Sequence, residues 1–563
     1  MNQIAVFDIE AINFMKPFLI GFFDGENYIV FEGEQCIKEF CEFLLKKIKK
    51  YSKYKIYSHY GGGYDFQFLI EYFAQHGYKL NILYNNSQIF YFSVERNKRY
   101  LKFYDSFALL PLSLEELTKH FNVEHKKIPI NREKIYEIYQ ENRDLVLEYL
   151  KHDCLGLYEV LTEFYNIIEE LGGQVRKTLA STSYSILKTY LEKQNIKYPT
   201  IRRFRECYYG GRTEIFIRYG KDLYYYDFNS LYPSVMRDFP YPISKPMKEK
   251  PEYMEDYECG FVLANVKIKE CEIPPIPLRI NNKLVFPIGK FTTWITLPEF
   301  KYALKKDLIE YYEIFELYIF ESEYIFKDFV DDLYKRRIEA KKEGNKALDL
   351  IFKLLLNSSY GKFGEKEEKE RIKLLTEDEH ELLFNHQLYH DSGLIKIKET
   401  IKLKHINVAI ASHITCYARL RLLDKMYDIL ENGGKVWYCD TDSIVTNLKL
   451  PNSNQLGELK LEYEIEEGIF LLPKVYGLKL KNGEEIVKVK GFPKVFTYND
   501  LKNALFNKKE LKTKIEKFGK LKESLRRFSK FYTWLEMEKM IKAQYDKRII
   551  VNNIYTKPLT INL

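Results

Sequence analysis

The stretch from Val436 to Val445 places two acidic side chains at a tight turn. Aromatic and β-branched residues flank Asp440-Thr441-Asp442, and this pattern predicts two short strands that meet at the turn. Alternate residues of an extended chain point to the same face, so we expect the Asp440 and Asp442 carboxylates to lie side by side. Such a pair resists joint ionisation unless a cation such as Mg²⁺ lies between them. An isolated Asp-x-Asp is more often an ordinary turn, so this interpretation depends on the rest of the chain.

Length and composition limit the class of protein. A chain of 563 residues is long enough for roughly three or four domains. Its formal charge of +8 is compatible with a polyanionic partner, and its aromatic fraction of 16% can serve the core or stack on unpaired bases. The eight Cys lack metal-site spacing, and we see neither a signal peptide nor an apolar run of membrane length. We therefore expect a soluble cytoplasmic protein without a membrane partner, or one of the host cytoplasm if the source is viral.

Three stretches in the first part of the chain carry acidic residues in apolar surroundings. Asp8 and Glu10 share one face at the end of a predicted buried strand. Asp65 comes shortly after three glycines, at the start of a predicted apolar helix. Its presence there is explained about equally well by capping of the helix and by a functional role. Asp153 lies on the apolar stripe of a long helix, one turn after Tyr149. A buried carboxylate is unfavourable unless it is paired or metal-bound, and these acids have no obvious cationic partner in the sequence.

Four acids and a tyrosine in this order suit two-metal hydrolysis of a phosphodiester. One ion activates water, the other stabilises the leaving oxygen, and a phenol positions the water. Here the chain resembles the proofreading 3′-5′ exonuclease domain of family B DNA polymerases. The resemblance implies catalytic roles for Asp8, Glu10, Asp65, Tyr149 and Asp153, the four acids being the metal ligands. It also implies that Ser106 and His59 contact the DNA strand, and that Lys127 lies beside the DNA and assists catalysis.

A joint follows the long helix at Gly172-Gly173. The later string Tyr208-Tyr209-Gly210-Gly211 is compatible with a plain turn. It also resembles the Tyr-x-Gly-Gly linker of protein-primed family B polymerases. That resemblance implies that Tyr208, Gly210 and Gly211 contact template DNA between the exonuclease and polymerase halves.

The stretch from Leu223 to Pro233 reads as a strand that runs into a turn, with Asp227 at its end. A third carboxylate there can join Asp440 and Asp442. The string Asp-x-x-Ser-Leu-Tyr-Pro resembles motif A of family B polymerases. The resemblance implies that Asp227 and the Phe228 carbonyl hold a metal ion. It also implies that Tyr232 packs under the incoming sugar and excludes a 2′-hydroxyl group.

Two antiparallel helices joined by a Gly-Asn turn are predicted next, and their pairing brings Arg337, Lys341 and Lys353 together. A solvated basic face explains such residues in many proteins. Three converging cations also suit a triphosphate. The string Lys353-x-x-x-Asn357-Ser-Ser-Tyr360-Gly resembles motif B, which implies that these five side chains bind the incoming nucleotide.

Two stretches without catalytic strings lie on either side of these helices. The second ends at 394–404 in alternating apolar and basic residues, as in a ribbon with one charged face or a solvated edge strand. Protein-primed members of the family carry two insertions here, which grip the priming protein and encircle DNA. After the Asp-Thr-Asp turn, Lys474 and Tyr476 form a Lys-x-Tyr string that in the family steadies the primer terminus.

The stretch from Asp500 to Ile550 is predicted to be helical and is rich in Lys and Arg. Aromatic residues alternate with these cations, most densely from Arg526 to Trp534. This resembles a thumb that lies on duplex phosphates, where each cation adds affinity that depends on salt but not on base sequence.

We therefore predict an α/β multidomain fold, in which a ribonuclease H-like exonuclease domain precedes a polymerase with palm, fingers and thumb. The predicted boundaries are exonuclease 1–175, linker 176–222, palm 223–245, first insertion 246–328, fingers 329–363, second insertion 364–404, palm 405–494 and thumb 495–563.

The predicted reaction is template-directed transfer of a nucleotide from a deoxynucleoside triphosphate to a 3′-hydroxyl, with proofreading. Each active site is expected to use two Mg²⁺, with Mn²⁺ as a substitute, held in the polymerase by Asp227 and Asp442 with Asp440 nearby. The predicted partners are primer-template DNA, nucleotides, a terminal protein and a single-stranded DNA-binding protein.

The position of Asp8 near the start favours a small viral or linear-plasmid replicase that starts synthesis on a terminal protein. Two alternatives stay open. One is a DNA-primed enzyme of the same family, for repair or for a mobile element. The other is a catalytically idle protein that only binds primer-template DNA.

Overall fold

The structure, a computed structural model, describes residues 3–85, 88–374, 387–389, 393–492, 495–528, 530–541 and 544–562. Side chains are described in all of these ranges except at 387–389 and 526–528. In this part of the chain, no helix combines the length and the apolar character that crossing a bilayer requires.

Residues 4–170 form a unit in which helices cover a twisted sheet. Its strands are β1 (Ile4–Ile12), β2 (Lys16–Phe23), β3 (Tyr28–Glu32), β4 (Lys55–Ser58), β5 (Lys79–Asn85), β6 (Gln88–Arg96) and β7 (Arg99–Asp105). Its helices are α1 (Cys36–Lys46), α2 (Ile48–Tyr51), α3 (Asp65–Gln75), α4 (Leu114–His120), α5 (Ile135–Glu141) and α6 (Arg143–Glu170). Strand β1 runs antiparallel to β2 and parallel to β4, which places it in the middle of the sheet.

Helix α6 packs its apolar stripe against this sheet. Asn142 begins the helix by accepting a hydrogen bond from the Leu145 N–H at 3.2 Å. The stripe that the sequence predicts is buried along its length: Val146, Leu150, Leu157, Leu161 and Phe164. Tyr149 and Asp153 are buried among these residues. The packing of α6 against the sheet therefore brings both side chains to β1.

The chain continues through α7 (Leu179–Lys193), β8 (Thr213–Ile215), β9 (Tyr219–Phe228) and α8 (Leu231–Asp238). The predicted first insertion, 246–328, follows with its own antiparallel sheet. Strand β10 (Tyr241–Pro242) precedes it, within the predicted palm. The elements within 246–328 are β11 (Met247–Glu249), β12 (Cys259–Ile268), β13 (Leu278–Ile280), β14 (Lys283–Val285), β15 (Ile288–Thr296), α9 (Leu297–Lys305), β16 (Ile309–Phe320) and β17 (Ser322–Glu323). The longest strands pair in the order β16-β12-β15 and enclose a separate apolar core.

The predicted helical hairpin is confirmed as α10 (Lys327–Lys342) and α11 (Lys346–Ser358). Gly344, with φ of 71°, lies in the turn between them, and the Asn345 side chain caps α11. A left-handed residue is readily supplied by glycine, which explains the Gly-Asn turn.

The second insertion contributes β18 (Glu368–Leu374), β19 (Gln387–Tyr389) and β20 (Leu394–Thr400). The alternating pattern therefore does correspond to a strand. Strand β18 pairs antiparallel with β5, so the insertion extends the first sheet to the order β19-β20-β18-β5-β6-β7-β4-β1-β2-β3. One sheet is thus built from two parts of the chain nearly three hundred residues apart.

The second large sheet is completed after this insertion. Its further elements are α12 (Val408–Glu431), β21 (Val436–Asp440), β22 (Ser443–Thr446), β23 (Leu459–Leu472), β24 (Val475–Leu480) and β25 (Glu485–Val489). The strand order is β25-β24-β23-β9-β22-β21-β8, with antiparallel neighbours throughout. The two predicted strands around Asp-Thr-Asp, β21 and β22, therefore lie next to the strand that carries Asp227.

The prediction of a helical stretch from Asp500 to Ile550 is wrong in part. The elements are α13 (Tyr498–Phe506), β26 (Leu511–Phe518), α14 (Leu521–Phe528), β27 (Trp534–Ile541) and β28 (Ile549–Ile550). Strands β26 and β27 pair as a hairpin. Leu511, Thr513 and Ile515 alternate with charged residues, and this period of two is typical of a strand. Ser529 and the side chains of 526–528, part of the predicted basic and aromatic stretch, lie outside the described residues.

The hairpin and the segment after it contact different parts of the molecule. The rings of Phe518 and Tyr64 lie 5.0 Å apart, and those of Trp534 and Phe14 stack at 5.3 Å, so the hairpin packs on the first unit. The chain then returns through β29 (Thr556–Lys557) and β30 (Thr560–Asn562). Strand β30 runs parallel to β15 of the first insertion. The predicted thumb limits, 495–563, stay a prediction, but the last part of that range lies away from the hairpin.

Candidate active sites

Three acidic residues gather where neighbouring strands of the seven-stranded sheet end. Ser443 lies opposite Asp227 on one side and opposite Asp440 on the other. Directly opposed residues of antiparallel strands point to the same face. Asp442 lies in the turn, after Thr441 with φ of 63°. Our premise that Asp440 and Asp442 are alternate residues of one extended strand is wrong, because the turn brings them together. All three acids line one cavity of about 440 Å³.

The protein holds the carboxylate of Asp440 firmly. It accepts hydrogen bonds from the Tyr438 hydroxyl at 3.1 Å and the Thr213 hydroxyl at 3.2 Å. The Lys474 ammonium group lies 3.0 Å away. Lys474 thus neutralises Asp440 at the edge of the cavity. This arrangement distinguishes Asp440 from the other two acids.

Asp227 and Asp442 have the electrostatics of a cation site. Burial raises the pKa of Asp227 to about 7, and the Asp442 carboxylate adds to this rise. Burial also raises the pKa of Asp442, with a further contribution from Asp440. Buried carboxylates that repel one another ionise more readily when a divalent cation binds between them. Their chemistry fits a metal ion, although the three acids do not meet as a set within 4.8 Å in the described ranges.

Cations surround the same cavity. Lys474, Lys488 and Lys490 line it together with Tyr476. Lys488 and Lys490 were not anticipated. Lys488 lies on β25 and Lys490 directly follows it. This spacing of two could have identified them from the sequence, since it directs both side chains to one face of the sheet. The predicted Lys-x-Tyr pair, Lys474 and Tyr476, therefore belongs to a larger basic rim.

The helical hairpin carries its basic residues toward these acids. Burial lowers the pKa of Lys341, and repulsion from Arg337 and Lys353 lowers it further, so the three cations are close. Lys353 also lowers the pKa of Asp227, against the larger effect of burial. Arg337 is paired with Asp349 at 2.7 Å and donates to the Ser230 hydroxyl at 3.3 Å. The side chain of Asn357 is exposed on α11.

An aromatic pair lies beside the acids. The rings of Tyr232 and Tyr360 stack with centroids 4.4 Å apart and an interplanar angle of 17°. Tyr208 lies close enough to contribute to the raised pKa of both. The backbone of Phe228 is joined to the turn by an N–H that donates to the Asp442 carbonyl at 2.7 Å. Tyr232, Tyr360 and the Phe228 backbone thus lie near Asp442, and the individual roles of the predicted nucleotide-binding residues stay predictions.

The linker before β8 touches the Asp-Thr-Asp turn. A Cβ atom added to Gly211 would lie 2.6 Å from Thr441 Cγ2, whereas none of the described atoms lies within 4 Å of one added to Gly210. Arg419, which the sequence did not reveal, holds the linker by donating to the Tyr209 and Gly210 carbonyls at 3.1 and 3.0 Å. Gly211 is therefore required for close approach rather than for an unusual backbone angle.

A second acidic cluster lies between β1 and α6. Asp8, Glu10 and Asp153 offer carboxylate oxygens within 4.8 Å of one another. Asp65, at the start of α3, is near enough for Asp8 to raise its pKa, after the larger effect of burial. Burial raises the pKa of Asp8 to about 6 and that of Glu10 to about 8. All four predicted acids therefore converge, as does Tyr149.

Unpaired oxygens show that this cluster fits metal ions. Asp8 Oδ2, Asp65 Oδ1 and Asp153 Oδ1 are buried without a hydrogen-bond partner in the described structure. Buried carboxylate oxygens are normally satisfied, and hard cations are suitable partners for them. A cluster of four acids with open oxygens is thus a fitting site for divalent ions.

The expectation that these acids lack cationic partners is wrong for Asp153. Lys127 pairs with Asp153 and lies 3.2 Å from the Tyr149 hydroxyl. Arg132 donates to the same hydroxyl at 3.1 Å and lies 3.7 Å from Asp153. Arg132 could not be predicted, because nothing in its local sequence pattern distinguishes it from other surface cations. Its side chain is 54% exposed, so it lies at the mouth of the cluster.

His59 and Ser106 are near this cluster but bond within the protein. His59 Nδ1 lies 2.9 Å from Ser106 Oγ, and Ser106 donates to the Ser58 carbonyl at 3.2 Å. Ser106 is fully buried, and burial lowers the pKa of His59 to about 4. The predicted contacts of these two residues with DNA stay predictions.

Comparison with known families explains why two acidic sites share one chain. A family model described as DNA polymerase type B, organellar and viral, matches residues 45–145 and 128–442, which is more than half of the 563 residues. The chain belongs to this family. The match includes Asp65, Asp153, Asp227 and Asp442.

Relatives of this chain come from fungi and phages. A probable DNA polymerase of Neurospora intermedia is 30% identical over 91% of this chain and 61% of its own length. A probable DNA polymerase of Ascobolus immersus is 28% identical over 89% of this chain and 48% of its own length. The chain thus spans about half to three fifths of these two relatives. The DNA-directed DNA polymerase of Enterobacteria phage PRD1 is 30% identical over 86% of this chain and 84% of its own length.

A solved structure identifies the fold of this chain. Phi29 DNA polymerase, complexed with primer-template DNA and incoming nucleotide substrates, superposes with a TM-score of 0.74 at 20% identity. The superposition covers 97% of this chain and 100% of that one. The predicted α/β multidomain fold is confirmed as a Phi29-like polymerase fold.

Proposed function

We propose that the protein is a DNA-directed DNA polymerase with a 3′-5′ proofreading exonuclease, and that it starts synthesis on a terminal protein. The observation that carries the proposal is the convergence of Asp227, Asp440 and Asp442 in one cavity beside the basic helical hairpin. These residues come from distant parts of the chain. A carboxylate cluster next to converging cations is the arrangement that phosphoryl transfer from a triphosphate requires.

In the polymerase site, Asp227 and Asp442 would hold the metal ions, with the Phe228 carbonyl as a further ligand. Divalent ions there supply charge neutralisation for the triphosphate and activation of the 3′-hydroxyl. Arg337, Lys341 and Lys353 offset the remaining charge of the triphosphate, and Asn357 adds a polar contact. The stacked rings of Tyr232 and Tyr360 form the floor for the incoming sugar. Lys474 and Tyr476 hold the primer end, and Tyr208, Gly210 and Gly211 face the template.

In the exonuclease site, Asp8, Glu10, Asp65 and Asp153 would hold the metal ions, which activate water and stabilise the leaving oxygen. The Tyr149 hydroxyl orients the water. Lys127 and Arg132 lie against Asp153 and Tyr149, where they face an arriving phosphate. Ser106 and His59 support the strand that is cut.

The proposed partners are primer-template DNA, deoxynucleoside triphosphates, a terminal protein and a single-stranded DNA-binding protein. Phi29 DNA polymerase is described in complexes with primer-template DNA and with single-stranded DNA. Support for the terminal protein comes from the two insertions, which interrupt the predicted palm before and after the helical hairpin. Mg²⁺ is the proposed ion, with Mn²⁺ as a substitute.

The test is primer extension in Mg²⁺, with each nucleotide present or left out in turn. We expect incorporation that follows the template, together with 3′-5′ digestion when nucleotides are withheld. Absence of incorporation on every primed template would refute the polymerase proposal. Extension of an oligonucleotide but never of a cognate terminal protein would leave a DNA-primed enzyme instead.

Substitution of Gly211 by Ala should lower primer extension roughly ten- to hundredfold, because the new Cβ displaces Thr441 between the two catalytic acids. The matched control is Gly210→Ala, where the added Cβ meets open space among the described atoms. Steady-state extension of both variants is the measurement. Equal activity of the two variants would show that contact with the turn has no catalytic consequence.

Divalent ions should raise the melting temperature more at pH 8 than at pH 6. Burial raises the pKa of Asp8 to about 6 and of Glu10 to about 8, above the values of an unfolded chain. The folded, ion-free protein therefore binds extra protons, and its stability falls as pH rises between about 4 and 8. A bound cation replaces those protons, so its stabilising effect grows over the same interval.

Thermal melts with and without MgCl₂ at the two pH values measure this effect. The control is Glu10→Gln, which removes the group with the higher pKa and should reduce the difference between the two pH values. If MgCl₂ raises the melting temperature by the same amount at pH 6 and pH 8, the assignment of these acids as ion ligands is contradicted.

A further inference from the structure

A buried group of charges lies beneath the edge of the polymerase site. Arg212 and Arg548 are each 1% exposed and Glu214 is 0% exposed. Arg212 Nη2 lies 2.5 Å from Glu214 Oε2, and Arg548 Nη1 lies 3.5 Å from Glu214 Oε1. Two cations thus share one carboxylate, and the second cation comes from the segment that follows the β26-β27 hairpin.

Both guanidinium groups also donate to the first insertion, and Arg548 donates within the segment Tyr545–Thr556 that follows the hairpin, here called the returning segment. Arg212 Nη1 donates to the Pro274 carbonyl at 2.8 Å. Arg548 Nη2 donates to the Glu272 carbonyl at 2.9 Å, and its Nε to the Thr556 hydroxyl at 2.9 Å. Buried ion pairs of this kind add little net stability compared with apolar side chains of the same size, but they fix geometry. We therefore explain the cluster by its positioning of these chain segments relative to one another, and not by a contribution to the stability of the fold.

The element that the returning segment holds is β8, the edge strand of the seven-stranded sheet. The Tyr545 hydroxyl accepts from the Ile215 N–H at 3.0 Å, and the Thr556 hydroxyl donates to the Ile215 carbonyl at 2.8 Å. Lys547 Nζ donates to the Thr213 carbonyl at 3.0 Å. Three side chains of this segment thus bind one three-residue strand.

The same strand touches the catalytic turn. Thr213 lies opposite Asp440 in the sheet, and its hydroxyl donates to Asp440 Oδ1 at 3.2 Å. The Arg212 carbonyl accepts from the Thr441 N–H at 2.7 Å. A displacement of β8 is therefore transmitted to the Asp-Thr-Asp turn through two hydrogen bonds.

We propose that the segment Tyr545–Thr556, anchored by Arg548, is a positioning element of the polymerase site. It holds β8 in register so that Thr213 and Arg212 orient Asp440 and Thr441. Arg548 acts through Glu214 and Arg212 and touches none of the reacting groups. Among the described residues, no hydrogen bond or ion pair joins this segment to Asp8, Glu10, Asp65 or Asp153, so we expect the exonuclease activity to be independent of Arg548. The inference rests on the polymerase function proposed above.

The test compares Arg548→Met, Arg548→Lys and Thr556→Val with the unaltered protein. Arg143→Met is the matched control, because Arg143 forms a half-exposed pair with Glu32 at 2.5 Å in the first unit. Each protein is assayed for primer extension across Mg²⁺ concentrations, for digestion of a single-stranded oligonucleotide, and for melting temperature.

For Arg548→Met we expect extension to fall roughly ten- to hundredfold and the half-saturating Mg²⁺ concentration to rise, with digestion within about twofold of normal. Arg548→Lys should recover part of the extension, since it retains charge without the planar fork. Thr556→Val should shift extension in the same direction by a smaller factor, and it carries the test if Arg548→Met does not fold.

Two results would overturn the inference. In one, Arg548→Met and Thr556→Val extend primers normally. In the other, extension and digestion fall in parallel with melting temperature, which is the behaviour of a residue with a general stabilising role. Failure of the unaltered protein to extend any primer would instead refute the proposed polymerase function, so the two failures are distinguishable.

Discussion

Substitution of Asp442 by Asn should reduce primer extension by roughly a thousandfold, because a divalent ion loses several kcal/mol of interaction when one charged ligand becomes neutral. Asn has the size of Asp, so the turn retains its shape. Asp442 faces the same cavity as Asp227 and raises the pKa of that carboxylate, which places the two within direct electrostatic reach. Digestion of a single-stranded oligonucleotide should remain within about twofold of normal, since that chemistry uses the other acidic cluster.

The matched control for Asp442→Asn is Asp222→Asn. Asp222 lies on β9, five residues before Asp227, and its side chain is 79% exposed in a pair with Lys481. Single-nucleotide incorporation under saturating nucleotide is the measurement. Extension that survives in the Asp442 variant would mean that the catalytic carboxylates have been misassigned.

Substitution of Asp153 by Asn should give the opposite separation of activities. We expect 3′-5′ digestion to fall by roughly a thousandfold and primer extension to stay within about twofold of normal. Asp153 shares the cluster with Asp8 and Glu10, and one of its oxygens is buried without a hydrogen-bond partner. Loss of its charge removes an ion ligand and leaves Lys127 and Arg132 without their shared carboxylate.

The control for Asp153→Asn is Asp144→Asn on the same helix. Asp144 lies in the first turn of α6 with its side chain 96% exposed. Digestion and extension are measured on the same preparations, and mismatched primer ends should persist only in the Asp153 variant. A parallel loss of both activities would point to damage to the fold instead of the exonuclease site.

Local sequence patterns predicted those parts of both sites whose geometry is determined by residues close together in the sequence. The period of α6 placed Tyr149 and Asp153 on the buried face, and the Gly-Asn turn predicted the hairpin that gathers Arg337, Lys341 and Lys353. The Asp-Thr-Asp string predicted a strand, a turn and a strand. In each case short-range periodicity or turn chemistry determines the geometry.

Residues that reach the sites through long-range pairing could not be predicted in this way. Arg132, Lys488 and Arg548 belong to segments of ordinary composition, and only the folded chain brings them to acidic partners. The β26-β27 hairpin was missed because its many lysines resemble a helical basic face, although their alternation with apolar residues was visible. Which strands become neighbours depends on tertiary packing, which a single-sequence pattern does not report.

The pairing of β18 with β5 limits how the molecule can move. Arg371, Ile372 and Lys373 lie in register with Leu83, Ile82 and Asn81, so a row of backbone hydrogen bonds joins the second insertion to the unit that carries Asp8, Glu10 and Asp153. A hinge rotation that separated these parts would have to break that row at once. The second insertion therefore moves together with the unit that carries Asp8, Glu10 and Asp153. On the proposed function, a mismatched primer end reaches these acids by its own unpairing and not by a swing of that unit away from the insertion. If the protein proofreads as proposed, we expect AT-rich primer ends to transfer fastest, because their final base pairs melt most readily.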